Sequence, residues 1–243
     1  GLRMYGVPKD VRRLMPKVKK AQGVDIMRSF CGLNDPRNLE LSVKYAKEAG
    51  MISQAALSIT HSPVHTVEYY MGIVDKLVEF GADEICLKDM AGVGRPATLG
   101  RLVKEIKTKY PHIVVQYHGH TGPGLSMAST LMVAEAGADV IAATLPCYYK
   151  LQPEQMYNYY KTMADALTVP LMLYNIDITT HMSIPMDIIE RLSHHPNIVG
   201  LKDSENNVPR IEEALKLFAD REDFSYFCGC AANSAKALSL GGD

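Results

Sequence analysis

The sequence predicts an α/β protein, a closed (β/α)8 TIM barrel of eight parallel strands. Three observations predict it. Short apolar or β-branched runs recur at intervals of roughly 26 to 31 residues, the length of one strand–helix unit. The stretches between them carry apolar residues at helical spacing. About eight such runs fit within 243 residues, the number that closes a barrel of this kind at ordinary length.

The expected strands are Val24–Phe30, Gln54–Ile59, Glu84–Met90, Ile113–His118, Asp139–Thr144, Pro170–Asn175, Ile198–Asp203 and Phe224–Cys228. A helix over 8–22 precedes the first, and one over 231–240 follows the last. After the first strand, Asn34-Asp35-Pro36 offers a cap and a first-turn proline. Leu39, Val43 and Ala46 then share one face, and Gly50 ends the helix. Val67, Met71, Val74 and Leu77 repeat the stripe before Gly81. Leu99, Leu102, Val103 and Ile106 continue it. So do Met156, Tyr160, Met163 and Leu167, then Ile211, Leu215 and Phe218. These stripes read as core. No linker or low-complexity stretch divides the pattern, which predicts one domain over 1–243.

A net charge of −1 provides no basic field for nucleic acid or an anionic membrane. No apolar run approaches the roughly 20 residues of a membrane helix. No signal peptide opens the sequence. Five cysteines, an odd number without paired CxxC motifs, read as reduced thiols in a cytoplasmic protein. Cys228-Gly229-Cys230 reads as ordinary burial near a strand end rather than a metal or redox motif.

In a parallel α/β array, functional groups gather at the carboxyl ends of strands. The polar residues there are Arg28, Lys88, Asp89, His118, His120, Tyr174, Asn175, Lys202 and Asp203. Some could merely line the mouth as ion pairs, and Lys202 could be a solvated lysine paired with Asp203. Residues two apart on a strand face the same way, so His118 and His120 can both point inward.

Residues 1 to about 140 resemble the biotin-dependent carboxyltransferase family, which includes the oxaloacetate decarboxylase α subunit. The matching stretches are Met27-Arg28-Ser29-Phe30, Leu33-Asn34-Asp35-Pro36-Arg37-Asn38, Ser62-Pro63-Val64-His65-Thr66, Leu87-Lys88-Asp89-Met90-Ala91-Gly92 and His118-Gly119-His120-Thr121. The resemblance implies a divalent metal held by His118, His120 and a carbamylated Lys88, with an aspartate from the family's first barrel strand. That strand has no counterpart here, and Cys31 stands where the family's usual aspartate follows Arg-Ile-Phe. Around an eight-fold ring its place falls to Ile198–Asp203. Asp203 facing inward would nearly restore the ligand set, whereas Lys202 facing inward would oppose a metal. We expect Lys202 to face inward.

Residues from about 141 to 243 resemble the dihydrodipicolinate synthase / N-acetylneuraminate lyase family. The matches are Leu145-Pro146-Cys147-Tyr148-Tyr149-Lys150, Leu173-Tyr174-Asn175 and Ile198-Val199-Gly200-Leu201-Lys202-Asp203-Ser204. The resemblance implies that Lys202 forms a Schiff base with pyruvate. Tyr174 would relay protons, and Tyr149 would act across a subunit interface. Arg28 and Asn175 are the candidate substrate contacts. The family's glycine- and threonine-rich carboxylate-binding turn lies on an earlier strand without a counterpart here. Asp177 and Thr179 replace a proline and an arginine found in family members.

The two resemblances meet near Ala134–Ala143, where both families carry a Glu-Ala-Gly-Ala-Asp-like stretch. The expectation is an engineered chimera of two half-barrels, 1–140 and 141–243, without an established native activity and with little or none retained. The alternatives are a Schiff-base lyase or aldolase acting on a 2-oxo acid such as pyruvate, and a metal-dependent decarboxylase or carboxyltransferase. No cofactor is required, though a divalent metal is allowed. Helix faces inherited from oligomeric parents allow a homo-oligomer.

Overall fold

The computed structural model describes residues 7–242. Strands and helices alternate: α1 Lys9–Ala21, β1 Ile26–Phe30, α2 Glu40–Glu48, β2 Ile52–Ser58, α3 Val67–Glu79, β3 Glu84–Asp89, α4 Pro96–Lys109, β4 Val114–Gly119 and α5 Ser126–Glu135. The second part continues with β5 Val140–Thr144, α6 Pro153–Ala166, β6 Leu171–Asn175, α7 Asp177–Thr180, α8 Met186–Ser193, β7 Ile198–Asp203, α9 Val208–Leu217, β8 Ser225–Cys228 and α10 Ser234–Ser239. All eight strands fall where the periodicity places them, within a residue or two at each end. The short α7 was not anticipated. It lies after β6 and ends at His181, which has a left-handed backbone with φ of 56°.

The local signals work as their chemistry requires. Asp35 accepts from the backbone N–H of Arg37 and caps a 3-10 turn over Pro36–Asn38. Thr66 accepts from the N–H of Tyr69 and caps α3. Asn207 accepts from the N–H of Arg210 and caps α9. The helical stripes are buried as expected, with Val43, Val74, Leu102, Val103, Ile106 and Tyr160 fully enclosed. They pack against the outward-facing strand residues Leu57, Ile85, Leu87, Val115, Ile141, Leu173 and Leu201.

The sheet is parallel throughout and runs in the order β1 to β8. It curls enough for Arg28 on β1 to reach Gln116 and His118 on β4. The closed barrel is corrected here: among the described residues no ladder joins β8 to β1. Closure demands that the end strands meet with compatible tilt and stagger. These two are short, of five and four residues. Ile26 and Phe30 share the inward parity of Arg28 yet remain 42% and 45% exposed, as befits an open seam. No helix among the described residues is long and apolar enough to cross a membrane.

Candidate active site on the inner face

The register sets the site. Arg28 pairs with Gln54, Lys88 with His118, and Tyr174 with Lys202. Paired residues of a parallel sheet share a face, so these side chains project into the hollow of the curl. Lys202 Nζ lies 3.9 Å from the centroid of the Tyr174 ring. That ring is buried and meets His118 and His120 edge-on, with centroids 5.1 and 5.6 Å apart. The two imidazoles approach to 3.3 Å between their Nε2 atoms. Arg28 Nη1 lies 3.3 Å from His118 Nδ1. Lys88 Nζ sits 3.8 Å over the Phe30 ring. The two resemblances therefore contribute to one cluster.

Alternation along β7 decides between the neighbours Lys202 and Asp203. Lys202 faces inward. Asp203 faces outward, 2% exposed, where it accepts from Arg210 Nε at 2.6 Å, Asn175 Nδ2 at 2.9 Å and the Glu205 N–H at 3.0 Å. The reading of Lys202 as the ion-pair partner of Asp203 is thus corrected, because Arg210 holds that carboxylate. Asn175 is corrected as well. It follows Tyr174, so it turns to the outer face, donates to Asp203 and Glu205, and accepts from the Ile184 N–H. It fastens the loops after β6 and β7 and does not face the inner hollow. Asp89 likewise turns outward. It accepts from the N–H groups of Val93 and Gly94 and so shapes the turn into α4. Tyr149 is 73% exposed on the loop after β5, edge-to-face with Tyr148 at 4.7 Å, and is not brought to Lys202.

The inner face is crowded with cations, and this sets its electrostatics. Burial, with the Arg28 guanidinium beside it, pulls the Lys202 ammonium down to about 8. Burial also lowers Lys88, helped by Lys202 and Arg28. Burial, then Lys202 and Lys88, holds His120 at about 4. His118 lies well below its ordinary value through burial, then Lys202 and Arg28. Both imidazoles are therefore neutral near pH 7. Burial raises the Tyr174 phenol.

Neutral imidazoles suit a metal, but the rest of the donor set does not. Among the described residues no three His, Cys, Asp or Glu side chains converge to hold an ion. Asp203, which could have completed the set, points to the opposite face. The Arg28 guanidinium occupies the vicinity of His118 Nδ1, and Lys88 and Lys202 oppose a further positive charge. Carbamylation of Lys88 would supply one oxygen donor but no second carboxylate. Protein purified without added metal is expected to carry well under one equivalent of zinc, manganese or cobalt by elemental analysis. A full equivalent that disappears in His118→Ala would contradict this.

Two residues were missed in the sequence. Gln54 and Gln116, 4% and 7% exposed, accept from Arg28 Nε and Nη2 through their side-chain oxygens. Their signal was parity: each is a polar residue within an apolar strand, on the face that carries the site.

A model of the dihydrodipicolinate synthetase family matches residues 103–243, and a model described as HMGL-like matches residues 37–146. A pyruvate carboxylase subunit from Methanocaldococcus jannaschii is 40% identical over 141 residues, covering 58% of this chain and 24% of that protein. The chain thus spans about a quarter of the length of that relative. Dihydrodipicolinate synthase from Aquifex aeolicus superposes with a TM-score of 0.65 at 25% identity, over 78% of this chain and 67% of that one. The carboxyl transferase domain of Rhizobium etli pyruvate carboxylase, solved with pyruvate, superposes with a TM-score of 0.56 at 28% identity, over 59% of this chain and 25% of that one. The two family matches overlap across α4, β4, α5 and β5, the region where the motifs change from one kind to the other. The chain belongs to the dihydrodipicolinate synthetase family through residues 103–243 and carries an HMGL-like segment in the same polypeptide.

Proposed function

We propose that the chain is an engineered chimera of two half-barrels, 1–140 and 141–243, forming one domain. Its retained chemistry is capture of a 2-oxo acid such as pyruvate by the Lys202 amine. One observation carries this reading. Lys202 stands on the inner face above Tyr174 with no carboxylate partner among the described residues, its neighbour Asp203 being held by Arg210 on the other face. An amine that titrates at about 8 has about a tenth of its molecules neutral at pH 7, enough for attack on a carbonyl.

The neutral nitrogen adds to the C2 carbonyl, and the resulting carbinolamine loses water to form an iminium. Tyr174 supplies and removes the protons of that exchange. Arg28 receives the substrate carboxylate. The solved pyruvate complex of the Rhizobium etli domain supports pyruvate as the first compound to try. Tyr149, exposed on its loop, is proposed to act across the interface of a homo-oligomer. A full lyase cycle demands a held carboxylate and positioned proton transfers at every step. We expect adduct formation to outrun turnover.

Borohydride reduction in the presence of pyruvate, followed by peptide mass mapping, tests this directly. Hydride reduces the iminium to a stable secondary amine. Labelling confined to Lys202 and lost in Lys202→Ala is the expected result. Labelling spread evenly over surface lysines would defeat the reading. Aldol cleavage at the rate of an efficient lyase would show that the chain completes a cycle after all.

A further inference from the structure

Arg28 is held by amides rather than carboxylates. Its Nε donates to Gln54 and its Nη2 to Gln116, both buried. Gln54 in turn donates to Glu84 Oε2 at 2.6 Å. This leaves Nη1 turned toward His118, in the part of the hollow that holds Tyr174 and Lys202. An amide oxygen accepts a hydrogen bond without cancelling charge. A carboxylate in the same place would orient the guanidinium equally well and neutralise it. Glu84, the acid of this network, sits behind Gln54 and is not bonded to Arg28.

We infer that Gln54 and Gln116 are positioning residues that fix Arg28 while leaving its positive charge exposed to the substrate carboxylate and to Lys202. This rests on the reading of Lys202 as the amine that captures a 2-oxo acid. The groups facing Lys202 are Arg28 from β1, Cys86 and Lys88 from β3, His118 and His120 at the end of β4, and Tyr174 from β6. None is a carboxylate. Glu84 shares the inner face but meets Arg28 only through the Gln54 amide, so a carboxylate at the amide position would be the first bonded to Arg28 directly.

Gln116→Glu separates holding from charge, since it keeps the acceptor and adds a carboxylate. Gln116→Leu removes the acceptor and adds no charge. The probe is pyruvate with borohydride, reading Lys202 labelling against pH and against pyruvate concentration. Gln116→Glu is expected to raise the pH midpoint of labelling by about one unit and to raise half-saturation about tenfold. Gln116→Leu is expected to raise half-saturation by a similar factor with a smaller change in midpoint. A role limited to packing would leave the midpoint alone in both. Wild-type midpoint and half-saturation in Gln116→Glu would overturn the inference. If that variant does not fold, wild-type half-saturation in Gln116→Leu overturns it equally. Absence of Lys202 labelling in the wild-type chain at every pH would instead defeat the underlying reading, and this inference with it.

Discussion

Arg28→Met is expected to cripple pyruvate capture more than any other substitution outside Lys202 itself. Two losses add. The first is electrostatic: after burial, Arg28 is the principal cause of the low Lys202 value. Without it the amine stays protonated to higher pH. Each unit gained lowers the neutral fraction at pH 7 about tenfold. The second is the carboxylate contact. A hydrogen bond to a charged group contributes about 1.5–3 kcal/mol, or roughly ten- to a hundredfold in half-saturation. The checks are the pH profile of borohydride labelling and its dependence on pyruvate concentration. A midpoint that stays near 8 with unchanged half-saturation would show that Arg28 neither tunes Lys202 nor receives the substrate.

The second large effect concerns stability. Asp203→Ala is expected to destabilise the fold by about 3 kcal/mol, the low end for removing one partner of a buried ion pair, because Glu205 Oε2 still lies 3.5 Å from Arg210 Nε. The Asp203 and Arg210 side chains are 1% and 10% exposed, so the guanidinium left behind has little access to water. Asn175 and the Glu205 N–H lose their acceptor too. Lys202→Met, one position away, should do the opposite. The folded state holds this ammonium at about 8 against an ordinary 10.5, so folding disfavours the charged form. Its removal is expected to gain about 1–3 kcal/mol at pH 7. The sign follows from proton counting. Between about 8 and 10.5 the unfolded chain binds more protons than the folded one, and stability of the parent rises with pH. The advantage of Lys202→Met should therefore fade across that window. Urea unfolding of both variants at pH 7 and pH 10 measures this. A stabilising Asp203→Ala, or a Lys202→Met less stable than its parent at pH 7, would contradict the assigned orientations.

The opposed behaviour of adjacent residues shows how the site divides between what is local and what is not. The positions of the strands and most helices were legible in the sequence because burial on one face writes itself into short-range periodicity. Lys202, Tyr174, His118 and Arg28 were legible as mouth residues because each lies within or at the end of a parallel strand, and all such strands present the same face to the hollow. The preference for an inward Lys202 followed from its motif. What only the tertiary structure decided depends on partners distant in sequence. Alternation turns Asp203 and Asn175 to the outer face, but only the fold supplies their partners there, Arg210, Glu205 and the Ile184 N–H. Gln54 and Gln116 acquire meaning only once the sheet curls far enough to place β4 across from β1. The failure of β8 to pair with β1 belongs to the same class. A run of apolar residues specifies that a strand forms and which face it buries. Whether the last strand meets the first depends on the summed tilt and stagger of all eight, which no local stretch of sequence encodes.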